Sequence, residues 1–459
     1  MATVDTAELV ERIWSRDATV WTGGDESKWL GWLDEPRRMR ERIGELEEFA
    51  AGAHEFGTFV LLGMGGSSLA PEVLRRTFAG EALHVLDTTH PAAIRRLADE
   101  LDLDRTLFVV SSKSGTTLET RSHLEFFWKK TRGRGDAFVA VTDPGSELEA
   151  VARDRGFRAI FPGEPTIGGR YSALSVFGLV PAALLGVDLD RFLTRVDEMV
   201  EACRFDEGNP GLDLGERLGA GWQEGRDKIV VSPNPGGFGL WVEQLLAEST
   251  GKQGKGLVPA PEERPLGPDR QSEEVRVSDP YELGQEFYRW EFATAVAGSI
   301  LGINPFDQPN VQEAKDRTNE VLSRRDEGSP PGTGSRAMAD LVEELLAEAA
   351  PPEYVCIQAF IDPAREGELK TLITRARETG CVVTHGLGPR YLHSTGQLHK
   401  GGPPTGRFIQ VFDDPGEELE IPGRDFGFAR LIRAQAAGDY AALEQRGRPI
   451  VRIRLEELA

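Results

Sequence analysis

Residues 106–119 read TLFVVSSKSGTTLE: a run of apolar and β-branched residues that breaks abruptly into serines, a lysine, a glycine and threonines. A strand buried on both faces reads as such a continuous apolar run. The polar burst marks a loop at its carboxyl end, and LETRSHLEFFWKKT (118–131) continues as a helix. The same texture surrounds this stretch. TFVLLG (58–63), LHVLD (83–87) and AFVAVT (137–142) are short apolar runs, and helical segments such as PEVLRRTF (71–78) separate them. Strands alternating with helices at this spacing predict a parallel sheet covered on both faces.

The pattern restarts further along. DKIVVS (227–232), YVCIQAF (354–360), CVVTHG (381–386) and RFIQVF (407–412) predict a second α/β unit, after a helical stretch around 172–200. The expected organisation is a helical segment over 1–50, a first domain over 51–205 and a second over 206–459. RDEGSPPGTGS (325–335) reads as an exposed loop. Open parallel sheets bind ligands beyond the carboxyl ends of their strands, so a site is expected there, between the two halves.

Composition narrows the partners. The 459 residues carry 53 lysines and arginines against 75 acids, a formal charge of −22. A surface of that sign repels nucleic acid and anionic lipid, so neither is an expected partner. Cys203, Cys356 and Cys381 show neither metal nor redox spacing, which predicts a reducing compartment without disulfides. MATVDTAELVERIW lacks a signal pattern, and no apolar run approaches the roughly 20 residues that span a bilayer. The cytoplasm is the expected location.

Two loops could hold an anion. Gly63-Met64-Gly65-Gly66-Ser67-Ser68 follows the first strand and opens a helix. Glycines there admit a phosphate to free backbone N–H groups. A dinucleotide fingerprint is the rival, with Asp87 ending the next strand, but Ser68 stands where the third glycine belongs. The second loop, Ser111 to Thr117, converges hydroxyls, Lys113 and a helix N-terminus, which suits a phosphate monoester. Glu119 fits a capping box with Thr116 and is assigned no chemistry.

Four further segments carry groups able to do chemistry. Ile167-Gly168-Gly169-Arg170-Tyr171-Ser172 brings a guanidinium behind two glycines. In FGLWVEQLLAESTGKQGKG (238–256), Trp241, Gln244, Leu245 and Glu248 share one helical face, and Gly251 stops the helix. A carboxylate in the last turn of a helix, partly buried, has its pKa pushed upward, which suits a general base. In the segment that starts Asn304-Pro305-Phe306-Asp307-Gln308-Pro309, Pro309 opens a helix whose Val311, Lys315, Thr318 and Leu322 share a face. Residues 388–402 place His393 and His399 in a glycine- and proline-rich loop. No cysteine or HExxH context accompanies them, so zinc is not expected.

Taken together, SSKSGTTLET, IGGRYSALS, the Gln-x-x-x-Glu-Ser helix, NPFDQPNVQEAK and HSTGQ resemble the phosphoglucose isomerase family, over about residues 57 to 412. The chain looks most like the isomerase part of bifunctional transaldolase/phosphoglucose isomerases. The resemblance implies an α/β fold of two sugar-isomerase (SIS) domains, each a parallel sheet flanked by helices. It implies interconversion of glucose 6-phosphate and fructose 6-phosphate through a cis-enediol. Glu248 would carry the proton between C2 and C1, Arg170 would stabilise the enediol oxygens, and His393 and Lys315 would serve ring opening. Gln244 and Gly169 would orient the sugar. Gly66, Ser67, Ser112, Lys113, Ser114, Thr116 and Thr117 would hold the phosphate. No metal or organic cofactor is implied. In the family the ring-opening histidine lies between base and lysine in sequence and crosses from a second subunit. Here His393 or His399 follows both, and a homodimer is expected. Alternatives are a non-catalytic sugar-phosphate-binding regulator, an isomerase that also takes mannose 6-phosphate, and a dinucleotide-dependent oxidoreductase.

Overall fold

The computed structural model describes residues 6–309, 318, 320, 322 and 338–458. The N-terminal sheet contains β1 (Thr58–Leu62), β2 (Leu83–Leu86), β3 (Thr106–Ser111), β4 (Phe138–Thr142) and β5 (Ala159–Pro162). Its order is β2-β1-β3-β4-β5, with every pairing parallel. All six residues of β3 are buried, as a strand sandwiched between helices requires.

The remaining strands divide between two sheets. β6 (Lys228–Val231) lies between β7 (Val258–Pro259) and β8 (Arg270–Glu273). β9 (Tyr354–Phe360), β10 (Val382–Leu387), β11 (Gly406–Phe412) and β12 (Ile450–Arg454) form a four-stranded sheet in the order β10-β9-β11-β12. These pairings are parallel too. The eight expected strands are all present. β5, β7, β8 and β12 were not foreseen: β7 has two residues, and β8 and β12 carry charged residues at sheet edges.

Residues 6–52 are helical but broken, with helices Thr6–Trp14, Glu35–Arg40 and Ile43–Gly52 and 3₁₀ turns between the first two. They are part of the main core. Trp32 stacks on Tyr171 with ring centroids 5.5 Å apart, and Trp21 meets the edge of Phe306 at 5.0 Å. Tyr171 and Phe306 are themselves 5.3 Å apart. This aromatic layer supports the turns that carry Arg170 and Asp307 from behind.

Lys315 and the 325–335 loop lie outside the described residues, and so does Val311. Thr318 and Leu322 are helical and buried, as expected. Among the described residues no helix is long and apolar enough to cross a membrane.

Candidate active site

Three segments meet at the glycines after β1. The turn Gly65–Ser67 precedes helix Leu69–Thr77, and Gly65 has φ +55°. A Cβ on Gly65 would stand 2.6 Å from the His393 carbonyl oxygen and 2.9 Å from Gln244 Nε2. A Cβ on Gly66 would collide with the Gly169 carbonyl. These glycines therefore admit neighbouring segments, and only Gly can do so with that φ at position 65. Gly66 and Ser67 are buried at the junction of the 167–171, 241–248 and 390–394 segments.

The hydroxyl loop opens helix Leu118–Lys130. Ser112 Oγ lies 3.2 Å from Thr117 Oγ1 and accepts from the Gly115 N–H at 3.2 Å. Ser114 and Thr116 pair through their hydroxyls at 2.9 Å. Thr117, the residue before the helix, makes no side-chain capping bond. Helix N-termini offer first-turn N–H groups to an anion. Lys113 departs from expectation. Its ammonium bonds Asp143 Oδ1 at 2.7 Å and the Glu164 carbonyl at 3.1 Å, so its charge is balanced within the protein and turned from the hydroxyls.

Arg170 is held rigidly. Its Nε donates to Ser249 Oγ at 2.8 Å, and one Nη donates to the carbonyls of Pro305 and Asp307 at 2.8 and 3.0 Å. The other Nη lies 3.6 Å from Glu248 Oε2 and 3.5 Å from Gln308 Oε1. Gln308 was passed over in the sequence, although it sits in the NPFDQPN stretch. Gln244 Nε2 donates to the same Glu248 oxygen at 3.3 Å, one helical turn earlier, while Gln244 Oε1 is buried with no partner.

Glu248 is 4% exposed and occupies the last turn of helix Gly239–Thr250, with Gly251 as its C-cap. Burial raises its pKa above the ordinary carboxyl value; Arg170, the Gln244 bond, His393 and Lys252 pull in the other direction. Lys252 is a buried cation that sequence reading missed, because the glycines after it suggest an open loop. Its ammonium bonds the carbonyls of Asn304 and Asp307 at 2.8 and 2.6 Å. Burial lowers its pKa to about 8. Lys252 and Arg170 thus grip the same turn, 304–307, from two sides.

Glu119 corrects the capping-box expectation. It is 6% exposed, and its Oε1 lies 2.9 Å from His393 Nε2 and accepts from Gln435 Nε2 at 2.7 Å. His393 therefore meets a carboxylate of its own chain. His399 is a core residue: its ring lies 3.2 Å from Gln358 Nε2 and 5.2 Å from the Phe408 ring, and burial lowers its pKa to about 3. Asp87, the acid of the dinucleotide alternative, is buried in a bidentate pair with Arg390 at 2.7 and 2.8 Å. It has no carboxylate edge left for a ribose. Among the described residues no group of three His, Cys, Asp or Glu side chains could hold a metal ion.

The site thus joins a buried carboxyl under a fixed guanidinium, a carboxylate–histidine pair and a hydroxyl-rich helix N-terminus. The model of the phosphoglucose isomerase family matches residues 31–205. Over that stretch the chain is similar to the phosphoglucose isomerase family. Glucose-6-phosphate isomerase of Gloeothece citriformis is 35% identical over 266 residues, which cover 50% of each chain. That of Thermosynechococcus vestitus is 34% identical over the same length and coverage. The chain spans about half the length of the curated relatives it matches. Among solved structures, a glucose-6-phosphate isomerase from Chlamydia trachomatis aligns with a TM-score of 0.54 at 21% identity, over 68% of this chain and 77% of that one. A hypothetical protein of Thermus thermophilus aligns with a TM-score of 0.50 at 22% identity, over 98% and 83%. At those identities the two structures speak for the fold alone.

Proposed function

We propose that this chain is a glucose-6-phosphate isomerase that interconverts glucose 6-phosphate and fructose 6-phosphate by proton transfer through a cis-enediol. The observation that carries the reading is Glu248: a buried carboxyl of raised pKa, 3.6 Å from a guanidinium that is itself fixed by three other acceptors. A general base works best with a pKa near the operating pH, and burial moves Glu248 in that direction.

In the forward direction the ionised Glu248 takes the proton from C2, and electrons move into the C1–C2 bond and onto the carbonyl oxygen at C1. Arg170 stabilises the charge developing on the enediol oxygens. A preorganised charge in a water-excluded site is the largest kind of contribution available to such a step. A proton passes from the O2 hydroxyl to O1, and protonated Glu248 then returns its proton to C1 as the C2 carbonyl forms, giving the ketose. Gln244 Oε1, buried and unpartnered, accepts from a sugar hydroxyl. Ring opening moves a proton from the anomeric hydroxyl to the ring oxygen, and His393 with Glu119 behind it handles that transfer. Ser112, Ser114, Thr116, Thr117 and the adjoining backbone N–H groups hold the phosphate, with Ser67 and Gly66 beside them. Lys113 supports the loop through Asp143.

The test is Glu248→Gln, assayed in both directions with folding checked by circular dichroism. Turnover should fall by at least about 10²-fold, the low end of what a positioned base contributes. Near-wild-type turnover would overturn the assignment. The two alternatives have their own arms in the same experiment. Wild-type protein that binds fructose 6-phosphate without turning it over would be the regulator, and turnover of mannose 6-phosphate would be the dual enzyme.

A further inference from the structure

The C-terminal sheet repeats the strand order of the N-terminal one. β10-β9-β11-β12 and β2-β1-β3-β4 each place the first strand inside, the second to one side and the next two to the other. In such sheets a crevice opens beyond the carboxyl ends of the strands where the order reverses. In the N-terminal sheet the loops after β1 and β3 fill that place with the candidate active site. In the C-terminal sheet the same place, beyond Phe360 of β9 and Phe412 of β11, holds a cavity of about 240 Å³ that the proposed function does not use.

The cavity is lined by Phe360, Phe412 and Ile432 on its apolar side and by Gln410, Arg452 and Arg454 on its polar side. Arg452 pairs with Gln410 in the β11–β12 register, and Arg454 pairs with Phe412, so the two guanidinium side chains share one face of the sheet. Arg452 is only 6% exposed, yet its partners are neutral: Gln410 Oε1 at 2.7 Å and the Ala436 carbonyl at 3.0 Å. Burial lowers its pKa to about 10. Arg454, exposed, lies 5.7 Å from the centroid of the Phe412 ring. Neither arginine forms an ion pair with a described residue.

The nearby acids make their short contacts elsewhere, although Asp414 lies within electrostatic reach of Arg454 and Glu444 within reach of Arg452. Asp413, on the cavity wall, bonds His90 Nε2 at 3.1 Å and the Asp362 N–H at 3.0 Å. Asp414 pairs with Arg433 at 3.2 Å and accepts from the Gly416 N–H at 3.0 Å. Asp439, within electrostatic reach of Arg452, bonds Lys400 and the Tyr391 hydroxyl. A buried guanidinium with only neutral partners is costly unless an anion balances it. On a chain of net charge −22, a buried guanidinium and an exposed one at a single cavity are not the overflow of a basic surface.

We propose that this cavity is a second ligand site, for a small organic anion whose carboxylate or phosphate head meets Arg452 and Arg454 and whose apolar body lies against Phe360, Phe412 and Ile432. Guanidinium forks match both oxyanions in a bidentate manner. The cavity is smaller than a drug-sized pocket, so the body is about one ring or a short chain.

The test is a graded soak of crystals of the full chain with 4-bromobenzoate and, separately, with 4-bromophenyl phosphate, the bromine being located by its anomalous scattering. At least one probe should place bromine in contact with Phe360 and Phe412, and which one does so names the head group. In Arg454→Gln, an exposed position that leaves the fold intact, the half-occupancy concentration at that cavity should rise about tenfold or more, the loss expected for one charge-assisted contact. Arg454→Lys should fall between. Bromine found only at the 111–117 loop or nowhere, or equal occupancy in Arg454→Gln, would overturn the proposal.

Discussion

Glu119 Oε1 lies 2.9 Å from His393 Nε2 and accepts a 2.7 Å hydrogen bond from Gln435, residues 274 and 316 positions further along the chain. One carboxylate thus fastens the 388–399 loop and helix Phe428–Gln445 to the hydroxyl loop, and it fixes which way the imidazole faces. A histidine oriented by a carboxylate keeps the tautomer that its partner selects.

Glu119→Gln should therefore act through His393. Turnover on the cyclic sugar should fall by about 10- to 100-fold, a fraction of what a complete acid–base group supplies. Turnover of open-chain substrate should be spared. Equal loss on both substrates would assign Glu119 a packing role only.

Arg170→Lys keeps the charge but not the fork. An ammonium cannot replace the donors to Ser249, Pro305 and Asp307 together with the one facing Glu248. Turnover should drop by about 10²–10³-fold, as for loss of a preorganised donor to a developing oxyanion. With the positive neighbour displaced, the Glu248 pKa rises further, so the rising limb of the pH–rate profile should move to higher pH. A limb that stays in place would show that Arg170 does not set the base.

Glu248 also makes a stability prediction. Its folded pKa is raised by burial, so the folded state holds a proton that the unfolded state has already released. Stability therefore falls as pH rises through the window from the unfolded value to the folded one, and the deficit is complete above the folded pKa. Glu248→Gln should melt at a higher temperature than wild type near pH 8, with the difference shrinking as pH falls toward 4. Thermal melts of both proteins across that range check it, and a constant difference would contradict the burial argument.

Much of the fold could be read from the chain because doubly buried parallel strands announce themselves. TLFVVS and YVCIQAF are apolar from end to end, and every residue in them is buried. IVRIR was not recognisable as β12, because its inward arginine lies in a polar row with Gln410, a pairing set by register across the sheet. Glu248 was readable because acid, glutamine and tryptophan recur at helical spacing before a terminating glycine. The partners of Glu119 were not, since no local pattern marks a contact across 316 positions. The counter-ion of Lys113 was not legible either: its neighbours advertise a phosphate loop, while Asp143 arrives from the end of the next strand.

Lys252→Met should loosen the turn that Arg170 leans on. The ammonium bonds two carbonyls of the 304–307 turn; methionine removes both bonds, and the Asp307 carbonyl keeps only Arg170 as donor. The expected cost is about 1–3 kcal/mol in unfolding free energy, read by denaturant titration, with a fall in turnover from the displaced guanidinium. Unaltered stability would mean that the turn is held by Asn304 and the aromatic layer alone.

The most direct test of the proposed base is deuterium exchange. Protein incubated with fructose 6-phosphate in heavy water should wash solvent deuterium into C1 of the ketose and C2 of the aldose, because Glu248 exchanges its proton while the enediol persists. Glu248→Gln should bind the sugar phosphate and incorporate no carbon-bound deuterium above the uncatalysed rate. Incorporation by the variant at the wild-type rate would contradict the account.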